Sequence, residues 1–364
     1  MKKNLMYPVL FLVIFLMVGL IFGCNAAEEA VDVEPDDANG DIEVFEGDPV
    51  VWEAASSWPR GNTSREQFEI FVEAVEEKTG GMLTINVSGP ETINGPDQIH
   101  MLRDGVVDVV NTVPAYYMED LPEGAITTYI WGTREQRNEA GYYDLMDEVH
   151  RRRFNSTLLD EYPAGTLHVY LKDPIDSIDD LQGKRVRAPS IFMPGVEAHG
   201  ATTMFMGDAD TVDALQSGVL DAAITASITY DSWNYYEVAP YVIYPAISFS
   251  DSFVLANVDS VNALPEQLRE ALYDAVKEAA PKADAYVAEE LNNIYDSIEE
   301  KGMKEIVFTG EEAERYRNAF YEAYIEGVLK PAVDEDMVNR IVAIYEQLNY
   351  PPEGFFKDAW QTVQ

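Results

Sequence analysis

Two stretches decide how this chain is read: Asp180-Leu181-Gln182-Gly183-Lys184-Arg185-Val186-Arg187-Ala188-Pro189, and, further on, Ala214-Leu215-Gln216-Ser217-Gly218-Val219-Leu220-Asp221. In the first, Lys184 to Ala188 reads as a short strand after a turn, stopped by Pro189. In the second, a helix over Thr211–Ser217 ends at a glycine that can take left-handed dihedrals, and the apolar Val219–Ile224 follows as a buried strand. Leu102-Arg103-Asp104-Gly105-Val106-Val107-Asp108 repeats that second phrase more than a hundred residues earlier. Two similarly built α/β units are implied.

Outward from these phrases the pattern extends in both directions. Val50 to Ala55 reads as a first strand behind the Gly47-Asp48-Pro49 breaker. Ser64 with Gln67 forms a capping-box pattern ahead of Phe68, Phe71, Val72 and Val75 at helical spacing, and Gly80-Gly81 stops that helix. Leu83–Val87 is a second strand, Ile99 to Arg103 a short helix, and Val106–Val110 a buried third strand. Strand and helix alternate, so the class is α/β with a mainly parallel sheet. Leu167–Leu171 restarts the pattern. From Pro265 the chain is helical, with Leu268, Leu272, Val276, Val287, Leu291 and Ile294 on one stripe, and Thr309 with Glu312 caps a further helix. No low-complexity linker separates the units, so strands or helices should cross between them.

The chain of 364 residues carries 65 acidic against 25 basic side chains, a formal net charge of −40. Nucleic acid and anionic membrane surfaces are poor partners for such a polyanion. Cys24 is the one cysteine, which excludes a disulfide framework and cysteine-ligated zinc. Lys2 and Lys3 precede the apolar run Val9 to Phe22, too short for a span of about 20 residues but suited to a signal-peptide core. Its end, Ile21-Phe22-Gly23-Cys24, resembles a bacterial lipobox, with the Cys24 thiol as the lipid acceptor. An uncleaved N-terminal anchor is the alternative. From Asn25 to Asp48 there are ten carboxylates and no basic residue, the composition of a flexible tether.

Catalytic signals are missing. His100, His150, His168 and His199 lie far apart, in no metal-ligand spacing, and no P-loop, G-x-S-x-G or G-x-G-x-x-G is present. The expectation is no metal, no cofactor and no enzymatic activity. Arg151-Arg152-Arg153, the basic cluster of the chain, reads either as a docking patch or as a helix C-terminus engaged with its own dipole and neighbouring carboxylates. Arg187 stands at the end of a strand, where ligands of open α/β sheets bind and where a guanidinium can grip a carboxylate with two parallel bonds. From its position alone, a structural ion pair is equally open.

The Asp180–Pro189 and Ala214–Asp221 phrases resemble the signature of the solute-binding proteins of tripartite ATP-independent periplasmic (TRAP) transporters. Val75-Glu76-Glu77-Lys78-Thr79-Gly80-Gly81, Leu102–Asp108, Tyr236-Glu237-Val238-Ala239 and Leu264-Pro265-Glu266-Gln267 match in the family's order, covering nearly all of residues 50 to 300. The resemblance implies a periplasmic-binding-protein-like fold, two mixed sheets flanked by helices around a ligand cleft. It implies lobe I from 49–165 plus 251–291 and lobe II from 166–250 plus 292–364, behind a leader at 1–23 and a tether at 24–48.

It further implies that Arg187 is the family's carboxylate clamp and that Thr225 stands where many members carry a ligand-facing Asn. Some members have a second arginine about 20 residues before the clamp. Here that stretch is Leu167-His168-Val169-Tyr170, so the expected ligand has one carboxylate and a less polar body. His168 and Asn111 join the candidate contacts, with Trp58, Tyr116, Tyr230 and Trp233 as aromatic walls. The expected role is a monomeric, exported receptor, lipid-anchored at Cys24, that captures a small organic acid by lobe closure and delivers it to TRAP permease subunits. An importer driven by ATP, a ligand-sensing lipoprotein and an exported enzyme are the alternatives.

Overall fold

The computed structural model describes residues 47–348; the leader, Cys24 and most of the acidic tether lie outside them. Ten strands form the sheet: β1 (Val50–Ser56), β2 (Leu83–Ser88), β3 (Val109–Thr112), β4 (Ser156–Leu171), β5 (Arg185–Arg187), β6 (Thr202–Met204), β7 (Ala222–Ala226), β8 (Tyr241–Tyr244), β9 (Ser248–Asn257) and β10 (Lys304–Val307). Their order is β2-β1-β3-β9-β4-β7-β5-β6, with β8 on β4 and β10 on β8. Strands β1, β2 and β3 run parallel at one end, and β5, β6 and β7 run parallel at the other. The family resemblance implies two sheets; the structure joins them into one ladder through the long antiparallel pair β4 and β9.

That pair is where the sequence reading stops short. It begins the strand at Leu167. In the structure β4 runs on from Ser156 through Pro163-Ala164-Gly165, the register to β9 shifting between Pro163 and Thr166. Proline lacks an N–H for the ladder and fits such a break. Gly165 sits there at φ +102°, a conformation side chains rarely adopt. An added Cβ would lie 2.8 Å from Ser227 Oγ and 3.1 Å from Leu291 Cδ2.

Helix α1 (Thr63–Lys78) buries Phe68, Phe71, Val72 and Val75 as the periodicity requires. Its cap is Asn62, whose side chain accepts from the Ser64 N–H, not the expected Ser64. Helix α2 (Gly95–Arg103) and helix α3 (Asp208–Ser217) end in the repeated phrase, and both endings are built alike. Gly105 and Gly218 are left-handed, at φ +67° and +76°. Gly105 N–H donates to Leu102 O and Val106 N–H to Met101 O; Gly218 and Val219 donate to Leu215 O and Ala214 O. This is a Schellman ending in each case.

The strands then start later than expected, β3 at Val109 and β7 at Ala222, and Val106 and Val219 are exposed. The intervening residues bring an aspartate under the neighbouring strand. Asp108 N–H donates to Glu53 O while its Oδ2 accepts from Glu53 N–H at 2.8 Å; Asp221 does the same with Arg185, at 2.9 Å.

Helix α4 (Glu266–Glu300) is a single 35-residue element. Leu268, Leu272, Ala275, Ala279 and Ala283 pack into a core with Trp52, Phe68, Phe71 and Val254. Beyond them Val287, Leu291 and Tyr295 join a different core with Tyr170, Tyr230 and Tyr244. Pro281, which cannot donate to the helical ladder, sits near this changeover. Helix α5 (Gly310–Tyr324) starts at Thr309, whose side chain makes no capping bond. Glu312 instead accepts from Ser177 Oγ and Ile178 N–H. Arg151, Arg152 and Arg153, at the end of the helix Tyr142–Phe154, pair with Asp147, Glu123 and Asp120, which fits the helix-end reading of that cluster.

Candidate functional site

The carboxyl ends of the parallel strands carry the candidate contacts in two groups. In the first, β1 and β3 place Ser56 beside Asn111 in register, and Ser56 Oγ donates to Asn111 Oδ1 at 3.0 Å. Asn111 is fully buried, and its Nδ2 has no hydrogen-bond partner among the described residues. A buried amide donor left unpaired costs free energy of about 1–3 kcal/mol, so it marks a place where an acceptor belongs. Ser57 Oγ donates to Gln98 Oε1 and lies 3.0 Å from Thr112 Oγ1, fixing the turn that carries half-buried Trp58. Tyr116, 44% exposed, lies against Gly95, where even a Cβ would come within 2.6 Å of the ring.

In the second group, β5 ends on Arg187 and β7 on Thr225 and Ala226. Arg187 is only 6% exposed. Its Nε donates to Met206 O at 3.1 Å and a terminal nitrogen to Ile224 O at 2.8 Å, and its guanidinium lies 5.3 Å from the Phe205 ring centroid. Two carbonyls and a ring thus fix the direction of the guanidinium. Thr225, 4% exposed, is the residue after Ile224. Arg185 is different: it spends its guanidinium on Asp221 at the opposite end of β5, holding that carboxylate below its usual range.

Trp233, at the end of the helix Ser227–Ser232, is 45% exposed. Tyr230 is fully buried, stacked on Tyr170 at 4.0 Å with its hydroxyl donating to Ala239 O. His168 is fully buried too, with Nε2 2.9 Å from Thr166 Oγ1 and Nδ1 2.9 Å from Ile243 O. Burial pushes its imidazole down to about 4, and that of His150 likewise. His168 and Tyr230 are thus enclosed by protein groups, although His168 stands opposite Thr225 in the β4–β7 register and Tyr230 lies in the helix that follows β7.

A second polar knot lies on the crossing strands. Arg137 pairs with Glu161 at 2.8 Å, Tyr142 OH donates to the same carboxylate, and Arg137 covers the Phe249 ring at 4.4 Å. Asp251 lies beside Glu161. Burial, and then the Glu161 charge, push its carboxyl well above the usual range. Among the described residues no cluster of three or more His, Cys, Asp or Glu is placed to hold a metal ion, and no helix is long and apolar enough to cross a membrane.

Residues 54–330 match the family model described as bacterial extracellular solute-binding protein, family 7. The chain belongs to that family. Its members are the solute receptors of TRAP transporters; they bind small organic solutes and work with membrane permeases, which removes the ATP-driven importer from consideration. Receptors of this kind include a TRAP solute-binding protein from a marine metagenome, specific for pyroglutamate, whose fold the chain shares with a TM-score of 0.69 at 19% identity. The match covers 83% of this chain and all of that one. A monocarboxylate 2-oxoacid-binding periplasmic protein of Nostoc is 22% identical over 82% of this chain and 85% of its own length. An uncharacterised protein of Salmonella typhimurium, YiiZ, is 27% identical over 57% of this chain, which spans 65% of that relative.

Proposed function

We propose that this receptor captures a small organic acid bearing one carboxylate, held by Arg187, and hands it unchanged to a TRAP permease. The observation that carries the reading is a nearly buried guanidinium at the carboxyl end of β5, oriented by two backbone carbonyls. A bidentate, charge-assisted pair there outweighs the screened repulsion of distant carboxylates. Asn111 Nδ2 and Thr225 supply further polar contacts, and Trp58, Tyr116 and Trp233 supply the apolar walls. The pyroglutamate and 2-oxoacid ligands in the relatives' names are small carboxylates, consistent with that chemistry.

In this reading, residues 49–165 plus 251–291 form one lobe and 166–250 plus 292–364 the other. They close by bending where β4 and β9 change register and where α4 passes from one core to the next. The chain is exported, anchored through lipid on Cys24 and held off the membrane by its acidic tether. It carries out no covalent chemistry.

Native mass spectrometry of protein purified from its own host should show a bound organic acid, released unaltered on unfolding. Arg187→Ala should retain the circular dichroism of the parent and lose that adduct. Binding undiminished in the variant, or a ligand without a carboxylate, would remove the clamp.

A further inference from the structure

Asn94 caps helix α2, its Oδ1 accepting from the Asp97 N–H, and Gly95 and Pro96 follow as the first helical residues. In sequence, Asn94-Gly95-Pro96 reads as an ordinary turn, and glycine is usual where the backbone must take a left-handed φ. Gly95 has no such φ. Helix formation does not ask for glycine either, since alanine is the better helix former. The backbone thus gives no reason for this residue, and what it supplies is the absence of a side chain.

The space a side chain would need is already filled. A Cβ at position 95 would lie 2.6 Å from Cε2 and 2.8 Å from Cδ2 of Tyr116, and 3.2 Å from Ser57 Oγ. Carbon atoms in contact sit about 3.5–4.0 Å apart, so the near edge of the ring would have to withdraw by about 1 Å. Ser57 is buried, with its hydroxyl bonded to Gln98 Oε1 and 3.0 Å from Thr112 Oγ1. Tyr116 belongs to the short helical turn Pro114–Tyr117 after β3 and is 44% exposed. The displacement therefore falls on the ring, towards its open side.

We propose, resting on the reading of Tyr116 as a wall of the cleft, that Gly95 is the positioning residue that sets the width of that cleft. It lets the Tyr116 ring lie back on the first turn of α2, and the room so gained admits acids with a ring-sized body. With a side chain at position 95 the ring stands forward, and the cleft fits acids of only a few carbons.

The test is calorimetry on the full-length protein with pyruvate, pyroglutamate and orotate, acids of increasing size. The parent should bind at least one of the ring acids more tightly than pyruvate. Gly95→Ala should weaken that ring acid by about tenfold or more and change pyruvate by less than about threefold, with the melting temperature retained. In a Tyr116→Ala background the same glycine substitution should change neither, because it acts through the ring. A parent that prefers pyruvate or binds none of the acids, a ring-acid affinity untouched by Gly95→Ala, or a loss that persists without Tyr116 overturns the proposal. Tyr116→Ala alone separates the two failures. If it alters ring-acid affinity while Gly95→Ala does not, the wall stands and only the positioning role falls; if it alters nothing, the wall itself falls.

Discussion

At the scale of single residues, the two arginines of Arg185-Val186-Arg187 show what sequence can and cannot distinguish. They alternate with one valine, yet one braces Asp221 at the base of the strand and the other stands at its top. The strand-ending Pro189 marked Arg187 as a candidate and the family resemblance singled it out; nothing local shows where the polar atoms of His168 and Tyr230 end up, because Ile243 arrives from a distant strand and Ala239 from beyond the next turn. Arg187→Ala should weaken ligand binding by about 10- to 100-fold or more, the worth of a charge-assisted pair, with little change in melting temperature, checked by calorimetry and thermal shift. His168 is held neutral, its imidazole lowered from 6.5 to about 4. The unfolded chain therefore binds more protons between those values, and this residue's contribution falls by about 3 kcal/mol as pH drops from 6.5 to 4. His168→Gln should flatten that part of the unfolding profile; an unchanged slope contradicts it. Asp251 works in the opposite sense, since its raised carboxyl binds its proton more tightly in the native state, so stability is lost as pH rises. Asp251→Asn should be more stable than the parent at pH 8, by a margin that shrinks towards pH 5 in urea titrations.

Elements were legible wherever one phrase contained its own start and stop. Helix α1 and strands β1 and β2 lie where the periodicity of Phe68, Phe71, Val72 and Val75 and the flanking breakers put them. The repeated Gly-Val-x-Asp phrase announced a helix end correctly but misplaced both following strands, because the Schellman turn uses the valine before pairing begins. β4 was half-hidden for the opposite reason: a Pro-Ala-Gly run that stops an isolated strand is tolerated where a partner strand carries the ladder across it. Gly165→Ala tests this joint. With φ at +102° and Ser227 Oγ 2.8 Å from the new carbon, it should cost about 2–3 kcal/mol in denaturant unfolding. A neutral result would mean that the joint yields freely.

For the whole molecule, the charge count carries a prediction of its own. An excess of carboxylates this large repels itself, and salt screens that repulsion within a Debye length of about 10 Å at 0.1 M. Surface pairs such as Arg340 with Glu148 and Arg315 with Asp179 pull the other way but contribute little each. The melting temperature should rise as sodium chloride is raised from 50 mM to 1 M; a steady fall would show that those pairs outweigh the repulsion. The overall α/β class was visible in the chain and the proposed clamp was named from the family resemblance, whereas the union of the sheets was not visible, since it rests on register between the distant strands β4 and β9.

The twin aspartates have a last consequence. Asp108 and Asp221 each lock the base of one parallel strand to its neighbour through the same pair of bonds, so Val109 faces Ala54 and Ala222 faces Val186. Asn111 then emerges three residues above one lock and Ile224, the carbonyl partner of Arg187, three residues above the other, a rise of about 10 Å. The heights of the two rims are thus levelled from below, like two walls built from the same footing course. A receptor of this build can change the groups along its rims while the gauge between rim and footing stays the same.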